Sequence, residues 1–490
     1  MEERPNCISM MRIMSLQSRS YSIVPEVPRS YIGNLYEFVY RSFLVPQKLR
    51  FADISRSVSL GAYSLRYSVL DSSGSRKLMV SVSGVEFITV EIEPLVEGVS
   101  EEEILEAKED VAVAVDLFEQ QVRKNSLFFA WREGESVVPE SVSSKENKSL
   151  RRIFLETQIL FIALFMGLGL VLFFLVGPLV AVILLAIQFV FVFYSNKIIA
   201  RSADWHITEK NPFIHILQYP LSPGDDNPVK KIPKEDLVRL KKAIYEETIA
   251  EHGELDCDKA HEIFARFGID CKRENLIARK VNVYDVVKRT ADRFGYKVPE
   301  IVVSNTLLPN AAASGPSPSR GVVLITTGIF LQLNDEEIVS VLGHEFGHLR
   351  GRDPLWLYGL SAVQYLFWFY VIFGLFPTGS FFLLLIYLWG LTTLTYFIAK
   401  FFEARADLIS AMVIGKPNVL AGALEKIGFQ RLLYERIPSF RVQEWLSMDP
   451  HPPIYFRIAR LRNLRQGFEI KHPLIQSAKE VTRGFLQSLA

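Results

Sequence analysis

Two long stretches of this 490-residue chain contain no charged side chain: Thr157 to Asn196 and Trp356 to Ala399. Neither stretch has the polar face that a helix on a soluble surface keeps. Gly177-Pro178 interrupts the first, and Pro377-Thr378-Gly379 interrupts the second. Each half is then close to the roughly 20 residues that a helical bilayer crossing needs. The pattern predicts two transmembrane hairpins, hence four spans and a multi-pass protein of the cell membrane. Arg151, Arg152, Lys197 and Arg201 flank the first hairpin, and Arg350, Arg352, Lys400 and Arg405 flank the second, while both tight turns lack Lys and Arg. By the positive-inside rule the turns face outward, and both termini and all remaining residues are cytoplasmic. The first thirty residues show no signal-type apolar core, so no cleaved export signal is expected.

Between the hairpins lies His344-Glu345-Phe346-Gly347-His348. Asn334 and Glu337 have the spacing of an N-cap and its capping-box partner, and Asp335 and Glu336 suit the first turn of a helix. Arg350 and Arg352 suit its end. On that helix His344 and His348 stand at i and i+4, so both imidazoles leave one face and can grip one metal ion. Glu345 is placed to reach a water on that ion. This is the arrangement of metal-assisted peptide hydrolysis, with Glu345 as general base.

A third ligand follows the second hairpin, in Phe402-Glu403-Ala404-Arg405-Ala406-Asp407. A hairpin returns to the side from which it left, so Glu403 emerges beside His344 and His348. A His2Glu set of His344, His348 and Glu403 leaves a fourth position for water, as a catalytic zinc site requires, with one Zn2+ per chain. Asp407, one turn beyond Glu403, is expected to orient a ligand imidazole. The competing reading pairs Glu403 and Asp407 with Arg405 or neighbouring bases.

The rest of the chain is less explicit. Residues 1–135 read as a cytoplasmic α+β domain, with its first 30 residues poorly ordered. Strands are expected at Val58–Leu70, Leu78–Ser83 and Val85–Ile92, with a helix from Ser100 to about Arg123. Residues 136–150 are a linker, 151–200 the first hairpin, 201–352 the first part of the catalytic domain, 353–401 the second hairpin and 402–490 its second part. Helices near 234–252, 256–267 and 283–294 lead to short strands at Glu300–Ser304 and Val322–Thr326. Those strands frame Asn310-Ala311-Ala312-Ala313, a candidate edge for an extended peptide. Cys7, Cys257 and Cys271 are too scattered for a disulfide framework or a thiolate metal site. A net charge of +1 gives no sign of a nucleic-acid partner.

Together, His344-Glu345-x-x-His348 after a strand–Asn-Ala–strand unit, followed by Glu403-x-x-x-Asp407, resemble the M48 family of membrane metallopeptidases. The order hairpin, zinc helix, hairpin, glutamate helix resembles the HtpX-type heat-shock proteases more than the CAAX-prenyl proteases, which carry more spans. Pro309-Asn310-Ala311 is similar to the family's substrate-contacting segment. His451-Pro452-Pro453-x-x-x-Arg457 is similar to its late His-Pro motif. His451 and Arg457 are thus two candidate donors to an oxyanion or its orientation, and which of them acts is open; His472-Pro473 lacks the trailing arginine. The resemblance spans about residues 150–465. It implies a zincin-like (gluzincin) α+β catalytic domain and substrates among misfolded membrane proteins. Residues 1–135 depart from it and suggest a regulatory partner. The alternatives are a CAAX-type processing protease, an intramembrane protease, and a non-proteolytic membrane scaffold with structural zinc.

Overall fold

The computed structural model describes residues 18–59, 62–71, 73–124, 126–134, 171–220, 233–269, 271–375, 381–435, 438–464 and 467–489. It divides into two compact units, one of residues 1–127, 218–231 and 268–277, the other of the remainder.

In the first unit β1 (Arg19–Ile23), β2 (Phe51–Ser59), β3 (Ala62–Leu70), β4 (Arg76–Ser83) and β5 (Ile88–Pro94) form an antiparallel sheet in the order β1-β5-β4-β3-β2. Alternation decides which face is buried: Leu65, Tyr67, Leu78, Val80, Val82, Ile88, Val90 and Ile92 point inward. They meet Ile32 and Leu35 of α1 (Ile32–Phe38) and Ile104, Val111, Ala114 and Phe118 of α2 (Glu101–Lys124). The run Val58–Leu70 is therefore a hairpin and not one strand, with Ser59 paired to Ala62. Part of the stretch read as poorly ordered, Arg19–Ile23, is an edge strand on β5.

Two further sheets follow along the chain. One consists of β6 (Ser126–Arg132), β8 (Phe213–Pro220) and β9 (Ile277–Asn282); the other has the order β11-β12-β10-β7, from β7 (Trp205–Ile207), β10 (Glu300–Ser304), β11 (Ala311–Ser314) and β12 (Val322–Thr326). β10 and β12 are parallel, and β11 lies antiparallel on the outer side of β12 as an edge. One core joins Val303, Val323 and Ile325 of this sheet to Val287 and Ala291 of α7 (Val283–Phe294) and to Ile338, Leu342 and Phe346 of α8 (Asp335–Gly351).

The apolar runs are helical where they are described. α3 (Val180–Phe193) leads through Tyr194 into α4 (Ser195–Ser202). α9 (Asp353–Leu375) and α10 (Phe381–Ile414) form the second pair. Two described helices are long and apolar enough to cross a bilayer, Val171–Phe193 and Leu385–Ile414. The first contains the expected break: Gly177 takes φ +60° and Pro178 opens the next turn. Residues 157–170 and the turn at 377–379 lie outside the described residues. α9 carries Tyr358, Gln364 and Tyr365 along its apolar run. It packs on α3, with Tyr358 donating to the Leu185 carbonyl (2.9 Å) and its ring tilted against Phe189.

α8 and α10 pack closely against each other. Gly343, Gly347 and Gly351 form one stripe of α8, and a Cβ on Gly347 would lie 3.1 Å from the Ala406 backbone. The Ser410 hydroxyl donates to the Ser340 carbonyl across the same seam (2.8 Å). Two helices can lie this near only where no side chain intervenes, and this seam sets the distance from His344 and His348 to Glu403. Backbone in a packed helix yields poorly, so Gly347→Ala is expected to part the helices by a few tenths of an ångström. Metal affinity should fall about tenfold or more, the scale seen when a site's supporting structure is disturbed. Competition titration with a chromogenic chelator checks this, and unchanged affinity would remove the seam from the account.

Candidate metal centre and active site

α8 begins as expected. The Asn334 side chain accepts from the Glu337 amide (3.0 Å), and the Glu337 carboxylate accepts from the Asn334 amide (2.9 Å). It ends at Arg352, whose φ of +53° turns the chain directly into α9. That turn puts Asp353, the first residue of α9, back over His348.

The three predicted ligands converge. His344 Nε2 stands 3.1 Å from His348 Nε2 and 3.3 Å from Glu403 Oε2, and His348 Nε2 stands 3.4 Å from Glu403 Oε1. Ligands about 2.0–2.1 Å from a tetrahedral zinc are spaced by about 3.3–3.4 Å. The donor set therefore has the size of a zinc site. Glu403 Oε2 is buried and accepts no hydrogen bond, which is costly unless a cation or donor stands before it.

Each imidazole has a carboxylate on its far nitrogen, and each carboxylate has an arginine. His348 Nδ1 lies 2.7 Å from Asp353 Oδ2, and Arg405 holds the other Asp353 oxygen. His344 Nδ1 lies 2.9 Å from Asp407 Oδ1, a charge contact that is not aligned as a hydrogen bond. Asp407 in turn receives Arg457 through Nε (2.8 Å) and Nη2 (2.7 Å). These carboxylates favour the tautomer that turns both Nε2 lone pairs inward. Burial alone would lower both imidazole pKa values. Instead Asp407 and Glu403 raise that of His344, and Glu403 and Asp353 raise that of His348 well above its ordinary value.

Glu345 is half-buried, and its Oε2 accepts from the Ala313 amide of β11 (2.9 Å). The base is thus tied to the outer edge of the sheet. Asn310, the candidate substrate contact, is exposed at the head of β11. Its backbone pins the loop to Thr326, whose Oγ1 accepts from the Asn310 amide (2.8 Å).

Of the two late donors, His451 faces the site. Its Nε2 is 3.5 Å from Glu403 Oε2, and its Nδ1 is 2.7 Å from Asp449 Oδ1. Burial works against the Asp449 charge, but His451 and Arg431 hold its carboxyl well below the usual range. Pro452 and Pro453 lead into a helix (Ile454–Arg462) whose first amides, Ile454 and Tyr455, are capped by the buried Glu435 carboxylate (2.9 and 2.8 Å). Arg457 on that helix is 5% exposed and engaged on Asp407, so the structure puts it behind the ligand His344 and not at the open side. Asp353 and Asp449 were not assigned roles from the sequence, and Arg405 was read as a hairpin flank or a partner of Glu403 and Asp407, not of Asp353. The signal for Asp353 was an acid placed just past the helix end, where the turn at Arg352 folds it back.

The chain matches the model of Peptidase family M48 over residues 278–465, beginning later than the resemblance at about residue 150 suggested. It is 30% identical to a Protease HtpX homolog of Acaryochloris marina over 38% of this chain and 73% of that protein. It is 32% identical to Protease HtpX homolog 2 of Methanosarcina acetivorans, over 38% and 72%. A solved structure, the crystal structure of S. mikatae Ste24p, aligns over 75% of this chain and 77% of its own at 13% identity and a TM-score of 0.38, a likeness that carries no argument. With its HExxH helix and distant glutamate in one cluster, the chain belongs to peptidase family M48, as a membrane protease of the HtpX type.

Proposed function

We propose that this protease is a zinc-dependent endopeptidase acting on the cytoplasmic side of the cell membrane, with His344, His348 and Glu403 as ligands and Glu345 as general base. The observation that carries the reading is the zinc-sized spacing of three donors, two buried and His348 partly so, beside a carboxylate that none of them uses. When bound, zinc supplies a Lewis acid for the scissile carbonyl and lowers the pKa of a coordinated water toward ~7. Glu345 takes a proton from the attacking water and returns it to the leaving amine. The extended substrate pairs with the β11 edge, which places its carbonyl between Glu345 and His451. With its Nδ1 hydrogen held on Asp449, the doubly protonated His451 ring donates from Nε2 to the carbonyl oxygen as it gains charge.

Four spans with both termini and the site in the cytoplasm follow from the charge-free runs and their basic flanks. An intramembrane site is disfavoured, because Asp335 and Glu336 at the head of α8 pair with Arg279 and Lys416 at the exposed surface. Substrates in this reading are misfolded membrane proteins cut in cytoplasmic segments, and residues 1–135 receive a regulatory partner.

The test is metal content measured alongside cleavage of an unfolded membrane protein by the full chain in detergent. Chelation should abolish cleavage and one equivalent of zinc should restore it. Zinc affinity should also climb with pH, since the raised imidazole pKa values mean that binding displaces protons until pH passes them. Cleavage that survives removal of all metal would overturn the proposal.

A further inference from the structure

The last described helix, α14 (Pro473–Leu489; the intervening helices are α11 Pro417–Glu435, α12 Pro438–Leu446 and α13 Ile454–Arg462), lies outside the residues matched by the family model. Ser477, Val481 and Gly484 make its buried face. Gly484 has no room for a Cβ, which would lie 2.6 Å from Phe456 and 3.1 Å from Trp445. Phe485 packs on Phe397 of α10, ring centroids 5.4 Å apart. Phe397 falls one turn before Lys400, where the charge-free run of α10 ends. α14 is therefore fixed at the depth where the membrane-crossing segment meets water.

Its other side is not what a helix facing water presents. Leu474, Ile475, Leu486 and Leu489 are 38–58% exposed. At 100° per residue they fall, with Ala478 and Thr482, in one sector about 120° wide, and Lys479 and Arg483 border it. The sole acid of the helix, Glu480, is turned away and held by Arg460 and Gln476. Exposed leucines with a basic margin and no acid are the composition of a helix lying in a bilayer interface.

We propose that this face of α14 rests on the membrane, its leucine sector in the headgroup–acyl boundary and Lys479 and Arg483 on anionic headgroups. Two observations select a bilayer as the occupant: continuity with the apolar surface of α10 through the Phe397–Phe485 contact, and the basic margin, which complements anionic lipid. The helix would thereby fix the height of the site above the bilayer.

The test uses the full chain reconstituted into vesicles of phosphatidylcholine and phosphatidylglycerol. Cys7 and Cys257 are replaced by serine, while Cys271 is buried. A fluorophore is placed singly at Ile475→Cys, Leu486→Cys or Gln487→Cys, the last lying outside the apolar sector. At 475 and 486 we expect quenching by nitroxide-labelled phospholipid and several-fold less quenching by aqueous iodide than at 487. Iodide reaching all three equally would overturn the proposal. So would shielding of 475 and 486 from both quenchers, accompanied by energy transfer between differently labelled copies, since that result assigns the face to a second chain.

Discussion

Glu345→Gln should bind one zinc per chain as tightly as the unaltered protein and cleave peptide bonds 10²–10⁴ times more slowly, the usual contribution of a positioned general base. The substitution keeps shape and hydrogen bonding. The glutamine carbonyl can still accept from the Ala313 amide, as the Glu345 carboxylate does at 2.9 Å. What is lost is the capacity to accept a proton. Neither ligand imidazole can take over, since the Nδ1 atoms of His344 and His348 already face Asp407 and Asp353. The measurement is turnover of an unfolded substrate together with metal content and a melting curve on the same preparation. Full metal occupancy, an unchanged Tm and lost turnover would assign the base. Turnover within twofold of the unaltered chain would move the base elsewhere. A zinc scaffold without protease activity would show no difference because neither protein would cut.

The parts of this site that were legible in the sequence are those carried by short-range periodicity. Two histidines at i and i+4, a capped helix and a glutamate after a charge-free hairpin each follow from local rules, and together they bring His344, His348 and Glu403 within reach. What escaped were contacts set by backbone turns and close approach. Asp353 reaches His348 because a non-glycine residue, Arg352, takes a left-handed conformation, which the sequence does not announce. The glycine stripe at 343, 347 and 351 does have helical spacing, but its meaning depends on α10 lying against it. In the first unit the alternation of Val58–Leu70 was read correctly as β. The hairpin was missed because its strand break shows only in the pairing of Ser59 with Ala62, a tertiary contact that periodicity does not carry. Asn310 immediately precedes β11, the strand whose Ala313 amide reaches Glu345.

Arg457 separates the two remaining accounts of the late motif. As an oxyanion donor its removal would lower kcat and leave metal and fold intact. As the structure has it, Arg457 neutralises Asp407, which orients His344, and all three are buried. Arg457→Met should then leave an uncompensated carboxylate beside the metal ligand. Breaking a buried pair from one side costs about 3–5 kcal/mol. We expect a fall in Tm of several degrees and a 10–100-fold loss of zinc affinity, the scale for lost outer partners of a ligand histidine. The double change Asp407→Asn with Arg457→Met removes the stranded charge and should recover much of the Tm without recovering zinc affinity, because the asparagine amide orients His344 less strongly than a carboxylate. His451→Ala should do the converse: its ring is 45% exposed and, among the described residues, partners Asp449 and Glu403 Oε2. Zinc and Tm should hold while kcat falls 10²–10³-fold, the cost of one oxyanion donor. If Arg457→Met instead kept its zinc and its Tm and lost only kcat, the arginine would be the oxyanion donor, and its pairing with Asp407 would have to yield when substrate binds.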